Sequence, residues 1–195
     1  MATENTRRIK DLDTLKALGH PLRMKLYRAI SVVGTATASQ LADQVDEAVS
    51  LVSYHLRKLA AHGLIEEAGT DRGDARERWW RRAGAGVSTS DADFLDAPER
   101  AAVHAAVSRM HARQRNEMYE NYLDTQSAWP GDWRSAAFTS EYFLPLTLDE
   151  LRRLGDELNE VLRRWQAHAE GARDSGDTDG RENVAVHTYG FPFRT

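Results

Sequence analysis

The sequence predicts a mainly α-helical chain with a small β content, in which an N-terminal unit of helices and one hairpin precedes a C-terminal α/β region. Three observations predict it. Apolar residues recur at three- and four-residue steps along much of the 195 residues, which is helical periodicity. Two short β-prone runs flank a glycine-containing turn between residues 64 and 82, which is hairpin patterning. The formal charge also changes sign along the chain. Through residue 90 there are 14 Lys/Arg against 11 Asp/Glu, a balance of +3, while the remainder carries 12 against 19, a balance of −7. An overall charge of −4 therefore hides a basic half, as expected where one half meets a polyanion and the other does not.

Composition narrows the classes further. Hydrophobic residues make up 41% and charged residues 29%, a globular rather than a disordered balance. No stretch approaches the ~18 consecutive apolar residues of a membrane span, and the N-terminus lacks the apolar core of a secretory signal, so a cytoplasmic address with no membrane partner is expected. The absence of cysteine removes disulfides, thiolate metal sites and cysteine nucleophiles. No phosphate-binding glycine loop, Gly-x-Ser-x-Gly, HExxH or close carboxylate pair is present, so the chain is not read as an enzyme and no cofactor is expected.

Taken in order, Leu12, Leu15, Leu18, Leu22, Leu26 and Ile30 mark two helices broken by Gly19-His20-Pro21, with Gly suiting a helix end and Pro a first turn. Thr37 and Gln40 have capping-box spacing ahead of Leu41, Ala42 and Val45, predicting a short third helix. A fourth, from about Ala48 to His62, puts Val52, Leu56 and Leu59 on one face and Ser50, Ser53, Tyr54, Arg57 and Lys58 elsewhere. Residues 64–68 and 76–82 then form the hairpin. Helices followed by a hairpin, within about 75 residues, is the order of a winged helix-turn-helix. We place this unit at residues 1–83, a small and polar linker at 84–97, and a C-terminal region at 98–195. There a long helix from Pro98 to about Ser127 ends at Trp129-Pro130-Gly131, residues 137–144 are a strand, and Thr147 and Glu150 cap a helix carrying Leu151, Leu154, Leu158, Val161, Leu162 and Trp165. A charged, glycine-rich loop over 170–182 and a strand over 184–189 complete the expected order.

The runs LKALGHPLRMKLYRAI, ASQLADQV, SLVSYHLRKLAAHGLIEE and RGDARERWWR, over roughly residues 11 to 82, resemble the ArsR family of winged-helix transcription regulators. The most specific pieces are Gly19-His20-Pro21-Leu22-Arg23 and Ser53-Tyr54-His55-Leu56-Arg57-Lys58-Leu59. The resemblance implies a homodimer that binds double-stranded DNA, flanking helices that make the dimer, and a recognition helix containing His55. One departure is the approach to that helix. Asp46, Glu47, Ala48 and Val49 stand where family members commonly place Ser or Thr, so Asp46 is expected to cap it.

The residue chemistry points the same way. A recognition helix in the major groove needs small or polar residues outward, which Ser50, Ser53 and Tyr54 supply, while Arg57 and Lys58 suit phosphates. Arg72, Arg76 and Arg78 are the expected wing contacts. Singly, each could equally be a solvated surface residue. His20 is expected to be structural, and His55 to pack or to meet a phosphate. For sensing, two routes are open. Trp129, Trp133, Phe138 and Tyr142 are candidates for a small apolar or aromatic effector, and equally for core. His104 and His111, seven apart on one helix side, are candidate metal ligands across a dimer, and equally two plain interface histidines. The expected function is a homodimeric, sequence-specific repressor, with a metal-responsive repressor or an effector-free DNA-coating protein as alternatives.

Overall fold

The computed structural model describes residues 7–69, 77–84 and 86–194. Two compact units divide between Leu123 and Asp124.

In the first unit, strand β1 (Arg7–Arg8) leads into helix α1 (Leu12–Leu18), whose N-terminus is capped by Asp11 accepting from the Thr14 N–H at 2.7 Å. After the Gly19-His20 corner, helix α2 (Pro21–Val33) begins with its proline at the first helical position, where the missing N–H costs nothing. Strand β2 (Thr35–Thr37) follows, then helix α3 (Ala38–Val45). The predicted capping box is present in full: the Gln40 N–H donates to Thr37 Oγ1 at 3.3 Å and the Thr37 N–H donates to Gln40 Oε1 at 3.0 Å. Helix α4 (Val49–Ala61) then leads to strands β3 (Ile65–Glu67) and β4 (Trp79–Arg82). β4 is the middle strand of an antiparallel sheet ordered β2-β4-β3, so the hairpin is tied back to the helices through a strand that helical periodicity did not announce.

The core of this unit is built from the apolar faces of all four helices. Leu15, Leu18, Leu26, Ile30, Leu41, Val52, Leu56, Leu59 and Trp80 are buried there. Asp46 departs from expectation. It is the C-cap of α3, in the left-handed conformation at φ 56° and ψ 55°, and its N–H bonds the Ala42 carbonyl; α4 starts at Ala48 with no side-chain cap. Asp tolerates this backbone region better than most residues, so the turn between α3 and α4 uses it there.

The expected linker 84–97 contributes to the packing of this unit. Strand β5 (Val87–Ser88) pairs in parallel with β1, and Phe94 is fully buried after a short 3-10 turn at Asp91–Asp93. The Phe94 ring stacks on His104 at 4.9 Å with the Arg100 guanidinium 5.5 Å from its centroid. Polar composition concealed two apolar anchors, Val87 and Phe94. Helix α5 (Pro98–Thr125) consequently packs here through Val103, His104 and Val107, and the compact division falls late in that helix.

The second unit contains a 3-10 turn at Gln126–Ala128, helix α6 (Gly131–Ala136) and helix α7 (Leu148–Asp174). Thr147 and Glu150 form the expected capping box, with the Thr147 N–H donating to Glu150 at 2.7 Å. Two expectations are corrected. Residues 137–144 and 184–189 carry no strand, and α7 runs into the stretch expected as a loop from residue 170. β-Propensity alone supplies no pairing partner, and a strand exists only where another backbone meets its N–H and C=O groups. Among its described residues only Ala172 is a buried apolar side chain, while Phe138, Tyr142, Phe143, Leu158, Trp165 and Phe191 are exposed. No helix among the described residues is long and apolar enough to cross a membrane.

Gly19 sits where a side chain has no room. A Cβ there would lie 2.8 Å from Val107 Cγ2 and 3.3 Å from the Lys16 carbonyl oxygen. Gly19→Ala is expected to destabilise the first unit by about 1–3 kcal/mol in denaturant unfolding. Combining it with Val107→Ala is expected to cost less than the two single changes added together.

Candidate nucleic-acid interface

Helix α4 presents its two faces as the sequence spacing requires. Val52, Leu56 and Leu59 are fully buried, which fixes the helix against α2 and α3, and Ser50, Tyr54, Arg57 and Lys58 are consequently exposed, with Ser53 half-buried. Lys58 Nζ lies 5.6 Å from the Tyr54 ring centroid, a cation–π contact that stiffens both side chains along the solvent face. Val49 and Leu51, in the first turn, are also exposed. Apolar spacing alone does not distinguish them from core residues; their placement on the outward side of α4 marks them.

His55 is corrected as a member of this interface. It is 5% exposed, on the inner side of α4, with its ring 4.4 Å from that of His20 at the N-cap of α2. Neither Nδ1 has a hydrogen-bond partner in the structure. Burial pushes the pKa of both rings below the ordinary 6.5; Arg23 pushes further on His20, and His20 and Arg23 push further on His55, against a smaller opposing pull from Glu47. Burial thus disfavours the charged form of both packed imidazoles, which join α4 to the α1–α2 corner. Arg23 completes the corner by donating to the carbonyls of Ala17 and, at 3.0 Å, Lys16. Asp46 and Glu47 are exposed at the approach to α4.

In the hairpin, Arg78 is exposed and pairs with Glu67 at 3.1 Å, and Arg81 pairs with Glu66 at 2.8 Å. Arg72 and Arg76 lie outside the described residues. Surface pairs of this kind contribute little to stability and yield readily to a phosphate competitor.

The candidate sensing residues are placed less favourably. Trp129 and Trp133 are half-buried, but Phe138 and Tyr142 are 77% and 75% exposed, so the four do not wall a pocket within one chain. His104 is buried against Phe94, and His111 donates from Nε2 to the Leu18 carbonyl at 3.1 Å. Packing and a backbone bond thus occupy both histidines. Among the described residues no group of three or more potential ligands is assembled.

Residues 18–68 match the helix-turn-helix domain family. The first unit carries a helix-turn-helix domain. The match spans the corner, α2, α3, α4 and β3, and the β2-β4-β3 sheet supplies the wing beside it. No curated protein matches the chain. Among solved structures, a variant of MarR from E. coli complexed with operator DNA is 16% identical, with a TM-score of 0.33, over 78% of this chain and 85% of that one. FabT from Streptococcus pneumoniae in complex with DNA is 17% identical, with a TM-score of 0.28, over 73% and 75%. A variant of ZitR from Lactococcus lactis in apo form is 13% identical, with a TM-score of 0.29, over 73% and 82%.

The lowered histidine pKa values make stability pH-dependent with a definite sign. Below about pH 6.5 the unfolded chain takes up protons that folded His20, His55 and His111, the last also held low chiefly by burial, resist. Their contribution is therefore complete above that pH and lost as pH falls. Denaturant midpoints are expected to drop between pH 7.5 and pH 5, and His55→Phe is expected to shallow that drop.

Proposed function

We propose that the chain is a sequence-specific DNA-binding transcription regulator of the ArsR-like winged-helix type, acting as a homodimeric repressor without catalytic activity. The observation that carries this reading is α4, whose fully buried Val52, Leu56 and Leu59 turn Ser50, Ser53, Tyr54, Arg57 and Lys58 outward together. A helix with small and polar residues outward fits the major groove and its donor and acceptor pattern, and flanking cations meet phosphates. The helix-turn-helix match over residues 18–68 supports it, as does the +3 balance of the half that contains α4.

Dimerisation is supported by the second unit. Its described residues enclose almost no core, yet α7 carries an apolar stripe on which Leu158, Val161 and Trp165 are 43%, 40% and 66% exposed. A stripe of that width is energetically unfavourable in water, and a second copy related by a two-fold axis would cover it while setting the spacing of two recognition helices. An apolar or aromatic effector as the releasing signal would act by its different affinity for two dimer shapes; it rests on the aromatic content of this unit and not on an assembled pocket.

Arg57→Ala with Lys58→Ala is expected to weaken binding to every duplex alike and to reduce the slope of log affinity against log salt by about two, measured by fluorescence anisotropy. Ser53→Ala or Tyr54→Ala is expected to change preference among duplexes selected from a random pool. Unchanged duplex affinity in all of these variants would overturn the reading. Trp165→Asp is expected to shift the chain toward monomer in sedimentation analysis, with the helix-turn-helix unit still folded.

A further inference from the structure

A cleft of about 330 Å³ opens where α1, the start of α2 and the end of α4 converge, lined by Asp13, Lys16, Ala17, Arg23, Lys58 and His62. Its walls carry three permanent cations and one carboxylate. The C-termini of α1 and α4 also end here, at Gly19 and His62, and each helix end contributes about half a negative charge. Three cations set against one carboxylate and two helix ends leave about +1, so complementing the helix dipoles does not exhaust the basic charge. Arg23 spends donors on the Ala17 and Lys16 carbonyls, but Lys16 and Lys58 have no carboxylate partner among the described residues. Lys16 and Lys58 thus line the cleft together with the single carboxylate of Asp13.

Position gives the cleft a meaning. Lys58 follows Tyr54 by one turn on the flank of α4, and His62 lies eight residues beyond Tyr54, about 12 Å along the helix. That distance is close to the width of the major groove of B-DNA, about 12 Å. Were the first turns of α4 among base edges, the end of the helix and the cleft beside it would face the phosphates that border the groove.

We propose that this cleft is a phosphate site, taking one phosphodiester group of the DNA strand that borders the groove occupied by α4, with Lys16 and Lys58 as its charged walls. The inference rests on the reading of α4 as the recognition helix and adds Lys16 and His62, which the recognition face does not include. It makes Lys16 a contact that positions the protein on the backbone and carries no sequence information.

Lys16 is exposed on α1, so Lys16→Ala and Lys16→Glu preserve the fold, and unchanged melting midpoints check this. Each is titrated against mixed-sequence duplexes of about 25 base pairs at several salt concentrations, beside wild type and Arg57→Ala. Lys16→Ala is expected to lower affinity several-fold on every duplex alike and to reduce the salt slope by about one, with Lys16→Glu weaker still. If Lys16→Glu binds with wild-type affinity and slope while Arg57→Ala is impaired, the cleft proposal is overturned and the recognition-helix reading stands. If wild type binds no duplex, both are overturned. Melting in inorganic phosphate against chloride at equal ionic strength separates the two sources of the anion. A stabilisation by phosphate that Lys16→Ala abolishes, without any effect of Lys16 on duplex binding, would assign the site to a free phosphate and overturn the DNA assignment.

Discussion

The corner between α1 and α2 is the constraint on which the rest of the first unit depends. Helices α2, α4 and α5 all make contacts at this corner, around residues 16 to 21. From α5, Val107 fills the space a Cβ on Gly19 would need, His111 bonds the Leu18 carbonyl, and Gln114 reaches the Pro21 carbonyl at 3.4 Å. From α2, Arg23 donates to the Ala17 and Lys16 carbonyls at the end of α1, the second of which also accepts from the Gly19 N–H. From α4, His55 lies against His20. Helix α4 therefore meets this corner at His20, next to the Leu18, Gly19 and Pro21 that α5 contacts.

That seating explains why the residues of α4 divide as they do. Burial of Val52, Leu56 and Leu59 fixes the rotation of the helix, and rotation decides which side chains meet solvent. His55 falls 100° from Leu56 and Tyr54 on either side of it, close enough to the inner face that packing takes it. Polarity did not decide its role; its angle did. The acidic chain as a whole is no obstacle to a polyanion, because the exposed cations of α4 and the cleft beside it lie in the half of positive balance.

The second unit follows a different logic. Its helix α7 is well specified locally, with a full capping box and arginine–carboxylate pairs at Arg152–Asp149 and Arg163–Glu160. What it lacks within one chain is burial. Phe143 and Phe193 approach to 5.4 Å, and a Cβ on Gly190 would lie 3.4 Å from Leu151 Cδ1, so the extended segments before and after α7 do meet other side chains of the unit. Leu158, Val161 and Trp165 of α7 stay exposed, an apolar stripe without a covering surface among the described residues of the unit.

Much of the fold was legible because it is encoded locally. The Pro21 start, the Thr37–Gln40 and Thr147–Glu150 capping boxes and the apolar period of α4 each use residues within a turn of one another, and each is formed where the spacing placed it. The features that were not legible depend on contacts distant in sequence: β2 pairing with β4, β1 with β5, Phe94 anchoring an apparently polar linker, and His104 and His111 engaged by packing and by a backbone carbonyl. The β-prone segments of the second unit show the converse, local propensity without a partner to complete it. By itself the sequence determined where α2, α3 and α7 begin and which apolar residues of α4 face the core, because backbone capping and side-chain periodicity act over three or four residues. Only the tertiary structure decided that His55 faces inward, that Asp46 ends α3 rather than starting α4, and that Lys16, Arg23, Lys58 and His62 share one cleft, because those outcomes depend on how separate helices pack against one another.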